Sequence, residues 1–195
     1  MEKFDICIPT LKKEEDFQPC LQAIHNTLNY NKIHIDRDPR GRGSSRVNLM
    51  KKVETQFFCF LDDDVVVNAK WCNKLIKKME SDQSIGAVSG FALTDNFLLN
   101  CLRKILMLRG LSKQRGFTSN TIIRAEAVKD IESLDNERFE DLQIQQHIKD
   151  QGYKWITIRA YCKHTKPGML VMKEAWTDFK RLVKEQGFIA GLRKI

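Results

Sequence analysis

The sequence predicts an α/β fold, a mixed, mostly parallel sheet flanked by helices, in a single domain. Three observations carry that expectation. Through the first half, short apolar runs of strand length alternate with segments of helical spacing, as in strands joined by crossover helices. The run Phe57–Leu61 (FFCFL) is apolar at every position, as a strand covered on both faces must be. It ends in three carboxylates, Asp62, Asp63 and Asp64, and open α/β sheets place their ligands at the carboxyl ends of strands. A length of 195 residues suits one domain with room for a short appendage.

The elements follow in order. Phe4 to Pro9 reads as the first strand, stopped by Pro9 and Thr10. Phe17 to Leu28 has helical spacing, with Leu21, Ile24 and Leu28 on one face. Lys32 to Ile35 is a second short strand, Arg37 to Ser45 a basic, Gly-containing loop, and Val47 to Val53 a short helix. After the strand Phe57–Leu61 and the acids, Asn68 is placed to cap a helix from Ala69 to Glu80. Ile85 to Gly90 is another strand. Asn96 to Leu111 is strongly apolar at helical spacing, interrupted by Arg103, Lys104 and Arg109. Phe117 to Ile123 reads as extended, Ala125 to Ile131 as a short helix, and Glu140 to Asp150 as a helix closed by Gly152. Tyr153 to Cys162 is a strand followed by His164, and Trp176 to Gln186 a final amphipathic helix. A strand-rich second half after a wound first half predicts a mixed sheet rather than a second domain.

Composition narrows the class. A hydrophobic content of 42% is enough for an ordinary core and argues against wholesale disorder. No uncharged apolar run of about 18 residues exists, so no transmembrane helix is expected. The start, MEKFDICIPT, goes straight into a strand pattern and lacks the shape of a signal peptide. The six cysteines are scattered, with no Cys-x-x-Cys pair, which fits a reducing compartment and offers no metal cluster. The expectation is a cytoplasmic protein, with a peripheral contact on the inner face of a membrane left open. A net charge of +8 attracts polyanions: nucleic acid, anionic lipid or phosphorylated small molecules. No helix-turn-helix, zinc-finger or aromatic RNA-binding signature supports nucleic acid.

The acid triplet is the strongest chemical signal. Packing does not call for three adjacent carboxylates at a strand end; they repel unless a cation sits among them. Two of them can face one way and bind a hard cation such as Mg²⁺ or Mn²⁺ through oxygen. The plainer reading is that they cap the next helix. The loop Pro39–Arg46 (PRGRGSSR) combines small residues, which let backbone amides approach an anion, with arginine forks; it lacks both the P-loop spacing and G-x-G-x-x-G. Glu140 and Asp141 open a helix, where acids are favoured in any case; as chemistry they offer a general base. His164, just past a strand, is either solvated or a metal ligand beside Asp64.

In this order and spacing the pieces resemble a nucleotide-sugar glycosyltransferase of the GT-A (Rossmann-like) fold, and most of all the inverting family 2. The family's opening strand ends in Pro-Thr, here Pro9-Thr10. An acid follows its second strand, here Asp36, and its Arg-Asn pair corresponds to Arg46 and Asn48, split by Val47. The DXD motif matches Asp62-Asp63-Asp64, the glycine-ended strand Ala87–Gly90, the Glu-Asp motif Glu140-Asp141, and the terminal metal-binding histidine His164. The likeness runs from about Phe4 to about Thr165, and the compact size resembles reduced forms found among archaea and their viruses. Two departures stand out. Asp36-Arg37-Asp38-Pro39 replaces the usual Asp-Asp-x-Ser/Thr, and Leu11-Lys12 replaces the Asn that follows Pro-Thr.

The resemblance implies a metal-dependent, inverting transfer of sugar from a nucleoside-diphosphate sugar to an acceptor hydroxyl. It implies a domain over residues 1–168, its nucleotide-binding half about 1–92 and its acceptor-binding half about 93–168, and a basic amphipathic helical extension over 169–195. Thr10 and Asp36 would meet base and ribose, Arg46 the base or phosphates, and Asp62 the ribose. Pro9 and Asp63 complete the donor-binding set. Asp64 and His164 would hold Mn²⁺ or Mg²⁺. Asp141 would be the base, with Glu140 as the alternate. Partners would be the donor and a glycan, lipid-linked or protein acceptor, with Arg115–Asn120 on the acceptor wall. For 96–111 and 176–195 a membrane contact, a core helix and a homodimer contact are all open. The competing readings are a GT-A-like nucleotidyltransferase consuming a nucleoside triphosphate, or a non-catalytic nucleotide- or nucleic-acid-binding module.

Overall fold

A computed structural model describes residues 3–108, 118–135, 139–170, 173 and 177. Its elements in chain order are β1 (Phe4–Pro9), α1 (Gln18–Thr27), β2 (Tyr30–Asp36), α2 (Arg42–Met50), β3 (Phe57–Leu61), β4 (Val65–Val66), α3 (Ala69–Glu80), β5 (Ile85–Leu93), α4 (Phe97–Leu108), β6 (Asn120–Arg124), α5 (Glu140–Asp150) and β7 (Lys154–His164). Short 3₁₀ turns cover Glu14–Phe17 and Ala125–Val128. One seven-stranded sheet has the order β2-β1-β3-β6-β5-β7-β4. β1 runs parallel to β2 and β3, and β5 parallel to β7; β6 is antiparallel to β3 and β5, and β4 to β7. Five strands therefore share one direction and two, β4 and β6, run against them.

Side-chain alternation explains the continuous apolar strands. Phe57, Cys59 and Leu61 enter one core with Phe4, Ile6 and Ile8, against α1 and α3. Phe58 and Phe60 enter the other with Cys7 and Ile123, against α2 and α5. Successive residues of a strand point to opposite faces, so a strand between two helical layers has no polar side to show. Asn68 caps α3 as expected, its Oδ1 accepting the Trp71 N–H at 2.9 Å. The Trp71 ring lies on Gly90: a Cβ there would stand 2.4 Å from Trp71 Nε1 and 2.8 Å from the Ala160 carbonyl oxygen. The six cysteines are free thiols. Burial pushes Cys20, Cys72 and Cys162 up to about 12, so they act as small core hydrophobes.

Several boundaries differ from the sequence reading. The basic loop expected over 37–45 stops at Gly41, and α2 starts at Arg42. Gly41 adopts φ +135°, which favours glycine, and its carbonyl accepts the Ser45 N–H at 3.1 Å, closing the first turn. Arg46 is therefore a helical residue. β2 extends from Tyr30 to Asp36, and β7 runs on to His164, which ends the strand rather than following it. The segment 125–131 holds a 3₁₀ turn instead of a short helix. Apart from Thr177, the predicted helix Trp176–Gln186 lies outside the described residues, as do Arg115–Phe117 of the expected acceptor wall.

Candidate active site

Because β1, β2 and β3 are parallel, their carboxyl ends emerge together. A cleft of about 430 Å³ opens there, lined by Pro9, Thr10, Lys12, Asp38, Arg42, Ser45, the three acids of the triplet and the Thr165–Lys166 turn. Thr10 is fixed on two sides: its N–H donates to the Asp36 carbonyl oxygen at 3.0 Å, and its Oγ1 donates to Asp63 Oδ2. Lys12 Nζ donates to the other Asp63 oxygen at 2.8 Å. Asp63, expected among the donor-binding residues, is thus tied to the loop after β1.

The three acids diverge. Asp62 continues the ladder, its N–H donating to the Ser119 carbonyl oxygen at 3.1 Å, and its carboxylate faces Arg46 Nη2 at 3.4 Å. Asp64 turns to the far side, where Oδ1 faces His164 Nε2 at 3.4 Å. The backbone causes this meeting. The two-residue β4 pairs with the end of β7, placing Val65 opposite His164, and the Thr165 N–H donates to the Asp64 carbonyl oxygen at 2.7 Å. Burial pushes the Asp64 carboxyl above the ordinary carboxylate range; His164 opposes that, and Asp62 and Asp63 add to it. Its Oδ1 is buried with no hydrogen-bond partner. The Lys166 N–H donates to His164 Nδ1 at 3.2 Å, so a neutral ring carries its proton on Nε2, toward Asp64.

A buried carboxylate oxygen that makes no hydrogen bond, 3.4 Å from an imidazole nitrogen, is a ligand pair that suits a divalent cation. Among the described residues no group of three or more His, Cys, Asp or Glu side chains is arranged to hold a metal. Asp64 and His164 fit the other kind of site, in which one or two protein ligands leave the remaining positions to phosphate oxygens and water. Binding there requires the ring proton on Nδ1, so that Nε2 is free to ligate, at the cost of the hydrogen bond from the Lys166 N–H.

Arg46 is not among the residues that line the cleft, and its side chain is 3% exposed. Nη1 donates to Glu140 Oε1, Nη2 faces Asp62, and the guanidinium carbon stands 5.7 Å from the Phe60 ring centre. It joins the end of β3 to the first turn of α5. That turn follows Phe139, which adopts φ +48°. Asp141 Oδ1 accepts the Leu142 N–H at 3.0 Å. Glu140 and Asp141 lie outside the lining of the cleft, Glu140 one guanidinium away from Asp62.

Asp36 likewise lies outside the lining. Its Oδ1 accepts the Asp38 N–H at 3.1 Å, and Lys52 Nζ stands 3.5 Å from Oδ2. Asp38 takes the place at the cleft. The Arg40 fork grips it at 2.6–3.1 Å and holds its carboxyl down to about 2, with Asn48 Nδ2 donating at 3.1 Å. Asp38, Lys12 and Lys166 carried no role in the sequence analysis, whereas Arg42 belongs to the anion loop singled out there. An acid two positions past Asp36, and cations flanking the Pro-Thr and His segments, were the available signals.

The glycosyl transferase family 2 model matches residues 15–128. No curated protein sequence matches the chain significantly. Among solved structures, the mannosyltransferase PcManGT from Pyrobaculum calidifontis, in complex with GDP-Man and Mn²⁺, superposes with a TM-score of 0.72 at 11% identity, over 94% of this chain and 64% of that one. S. aureus TarS 1-349 with UDP-GlcNAc gives 0.63 at 15% identity, over 85% of this chain and 59% of that one. Glucosyl-3-phosphoglycerate synthase from Mycobacterium tuberculosis, with Mn²⁺ and UDP-Glc, gives 0.62 at 12% identity, over 98% and 79%. The chain thus spans less than two thirds of the first two. At these identities the likeness is one of fold.

Proposed function

Because the chain belongs to glycosyl transferase family 2, we propose that it moves a sugar from a nucleoside-diphosphate sugar to an acceptor hydroxyl, inverting the anomeric carbon, with Mn²⁺ or Mg²⁺ in the donor site. The observation that carries the reading is the Asp64–His164 pair: a buried carboxylate oxygen that makes no hydrogen bond, 3.4 Å from an imidazole nitrogen, between the turn after β3 and the end of β7. The solved neighbours named above hold GDP-Man, UDP-GlcNAc and UDP-Glc. Nucleoside-diphosphate hexoses are therefore the donor class to test.

Asp64 and His164 would hold the metal, which when bound neutralises charge on the leaving diphosphate. Lys12, Arg42 and Lys166 line the same cleft and add fixed positive charge for phosphate oxygens. Asp38 and Asp62 are the carboxylates placed to accept from ribose or base donors, with Pro9 and Thr10 forming the wall. The carboxylate of Glu140 is committed to Arg46. As the family resemblance implies, Asp141 would take the acceptor proton, with Glu140 as the alternate. The acceptor, a hydroxyl of a glycan, lipid or protein, would approach from the α4–α5 side.

The test is a transfer assay over UDP-, GDP-, CDP- and ADP-hexoses with Mn²⁺. Asp141→Asn should lower transfer by roughly 10²–10⁴ while nucleotide affinity stays within a factor of a few. Transfer at the wild-type rate would remove Asp141 as base.

A further inference from the structure

Among the described residues, six large apolar side chains are exposed: Leu11, Phe97, Leu98, Ile105, Met169 and Leu170, from 47% to 78%. They come from three places in the sequence, and one of the three borders the cleft. Leu11 lines it together with Thr165 and Lys166. Met169 and Leu170 follow directly on that turn. The Gly168 N–H donates to Asp95 Oδ1 at 2.6 Å, which brings the turn against the start of α4, where Phe97 and Leu98 stand. Ile105 lies two turns further along the same helix. Exposed apolar residues are ordinary when scattered singly; a contiguous set at one rim marks an interaction surface.

Along α4 and the turn after β7 the charge is positive. α4 contains no acidic residue, and its Lys104 is exposed, with Nζ 5.9 Å from the Tyr161 ring centre. The stretch 163–173 holds Lys163, Lys166 and Lys173 and no acid. Asp95, before α4, has Oδ1 occupied by the Gly168 N–H. Acids stand on the Leu11 side, where Lys12 and Lys13 are followed by exposed Glu14, Glu15 and Asp16. A second copy of this chain would bring these cations against their own kind. An anionic bilayer would instead accept the apolar side chains among its headgroups and the lysines at its surface.

We propose that the rim formed by Leu11, α4 and residues 168–170 docks the protein on an anionic lipid surface, with the mouth of the cleft against the membrane. If the transferase reading above holds, the acceptor hydroxyl is then carried by a membrane lipid. The docking itself does not rest on that reading.

Sedimentation of the full chain tests it, with vesicles of phosphatidylcholine alone and of an equimolar mixture with phosphatidylserine. The protein should pellet with the mixed vesicles, little with phosphatidylcholine, and less as salt shortens the Debye length from about 10 Å at 0.1 M to about 3 Å at 1 M. Phe97→Ser with Leu98→Ser should weaken binding about tenfold or more. Lys104→Gln and Lys163→Gln should each weaken it about fivefold. All four changes are at exposed positions, so the melting temperature and the nucleotide response should stay those of the wild type. Absence from the anionic pellet, or equal binding by the Phe97/Leu98 variant, overturns the proposal. So does a concentration-dependent dimer in gel filtration that the same variant abolishes, which would assign the rim to a second copy. Vesicle binding is read without donor or transfer, so its failure leaves the transferase reading untouched.

Discussion

Arg46→Met tests how the two halves of the site are joined. The guanidinium is the cation between Glu140 on α5 and Asp62 at the end of β3, and its side chain is only 3% exposed. Removing one partner from a buried ion pair costs about 3–5 kcal/mol, because the other charge stays behind. Glu140 and Asp62 keep 16% and 28% exposure, so water offsets part of that, and the lower end, about 3 kcal/mol, is expected. For a chain of this length each kcal/mol shifts the melting temperature by about 2–4 °C, which gives a fall of about 6–12 °C. Adding Glu140→Gln should recover part of the loss, with a coupling of about 0.5–3 kcal/mol in the double-mutant cycle. Arg46→Lys should fall between, since an ammonium cannot serve both carboxylates in the geometry of a fork. Urea unfolding followed by circular dichroism at neutral pH measures all of these. A single variant as stable as the wild type, or a double variant whose loss equals the sum of the two singles, would refute the reasoning.

Asp64→Asn removes a charge that burial and two neighbouring acids disfavour, so without metal the variant should melt no lower than the wild type; it should also lose the rise given by Mn²⁺ plus nucleotide, about 5–11 °C at a hundredfold excess over Kd. Asp5 supplies a pH dependence. Burial pushes its carboxyl up, but the Glu54 N–H at 2.8 Å, Asn31 Nδ2 at 2.9 Å and nearby His34 outweigh that and hold it below the ordinary value. A depressed acid stabilises the fold above its unfolded pKa, and that stabilisation is lost as pH falls below about 4 and through the folded value. Asp5→Asn should therefore flatten the acid limb of a stability–pH profile, and an unchanged limb would remove Asp5 as its cause. Gly90→Ala should destabilise by about 1–3 kcal/mol, because the new Cβ meets the Trp71 ring and the Ala160 carbonyl; a neutral result in thermal melts would show that the ring can move aside.

The parts of this fold that could be read from sequence are those where period and burial agree. β3 was legible because a strand covered on both faces leaves no polar position, and β1 because Asp5 alone interrupts its apolar run before Pro9. α3 was legible because Asn68 announces its start and Trp71, Leu75 and Met79 repeat at helical spacing. α2 was misread at its start: Arg42-Gly43-Ser44-Ser45 has poor helix propensity, and the turn forms because Val47 and Leu49 pack on the sheet behind it. β4 has two residues, too few for any periodicity, yet its pairing with β7 is what sets Asp64 against His164. In the site, the triplet and the histidine stood out because nothing in packing calls for them. The partners of Arg46 did not, since Glu140 is 94 residues away and only the tertiary fold brings it near. The exchange of Asp36 for Asp38 at the cleft was hidden for a simpler reason: the turn after β2 decides which of two nearby acids faces in.

The central claim is that the cleft at the ends of β1 and β3 binds a nucleoside diphosphate through a divalent cation on Asp64. The measurement that meets it most directly is isothermal titration of the full chain with UDP, GDP, CDP and ADP, each with and without Mn²⁺, beside Asp64→Ala. The account predicts that one nucleotide binds in the presence of Mn²⁺, and that both its binding without the metal and its binding to the variant are weaker by tenfold or more. Binding to none of the four at millimolar concentration with Mn²⁺, or equal binding with and without Asp64, would contradict it.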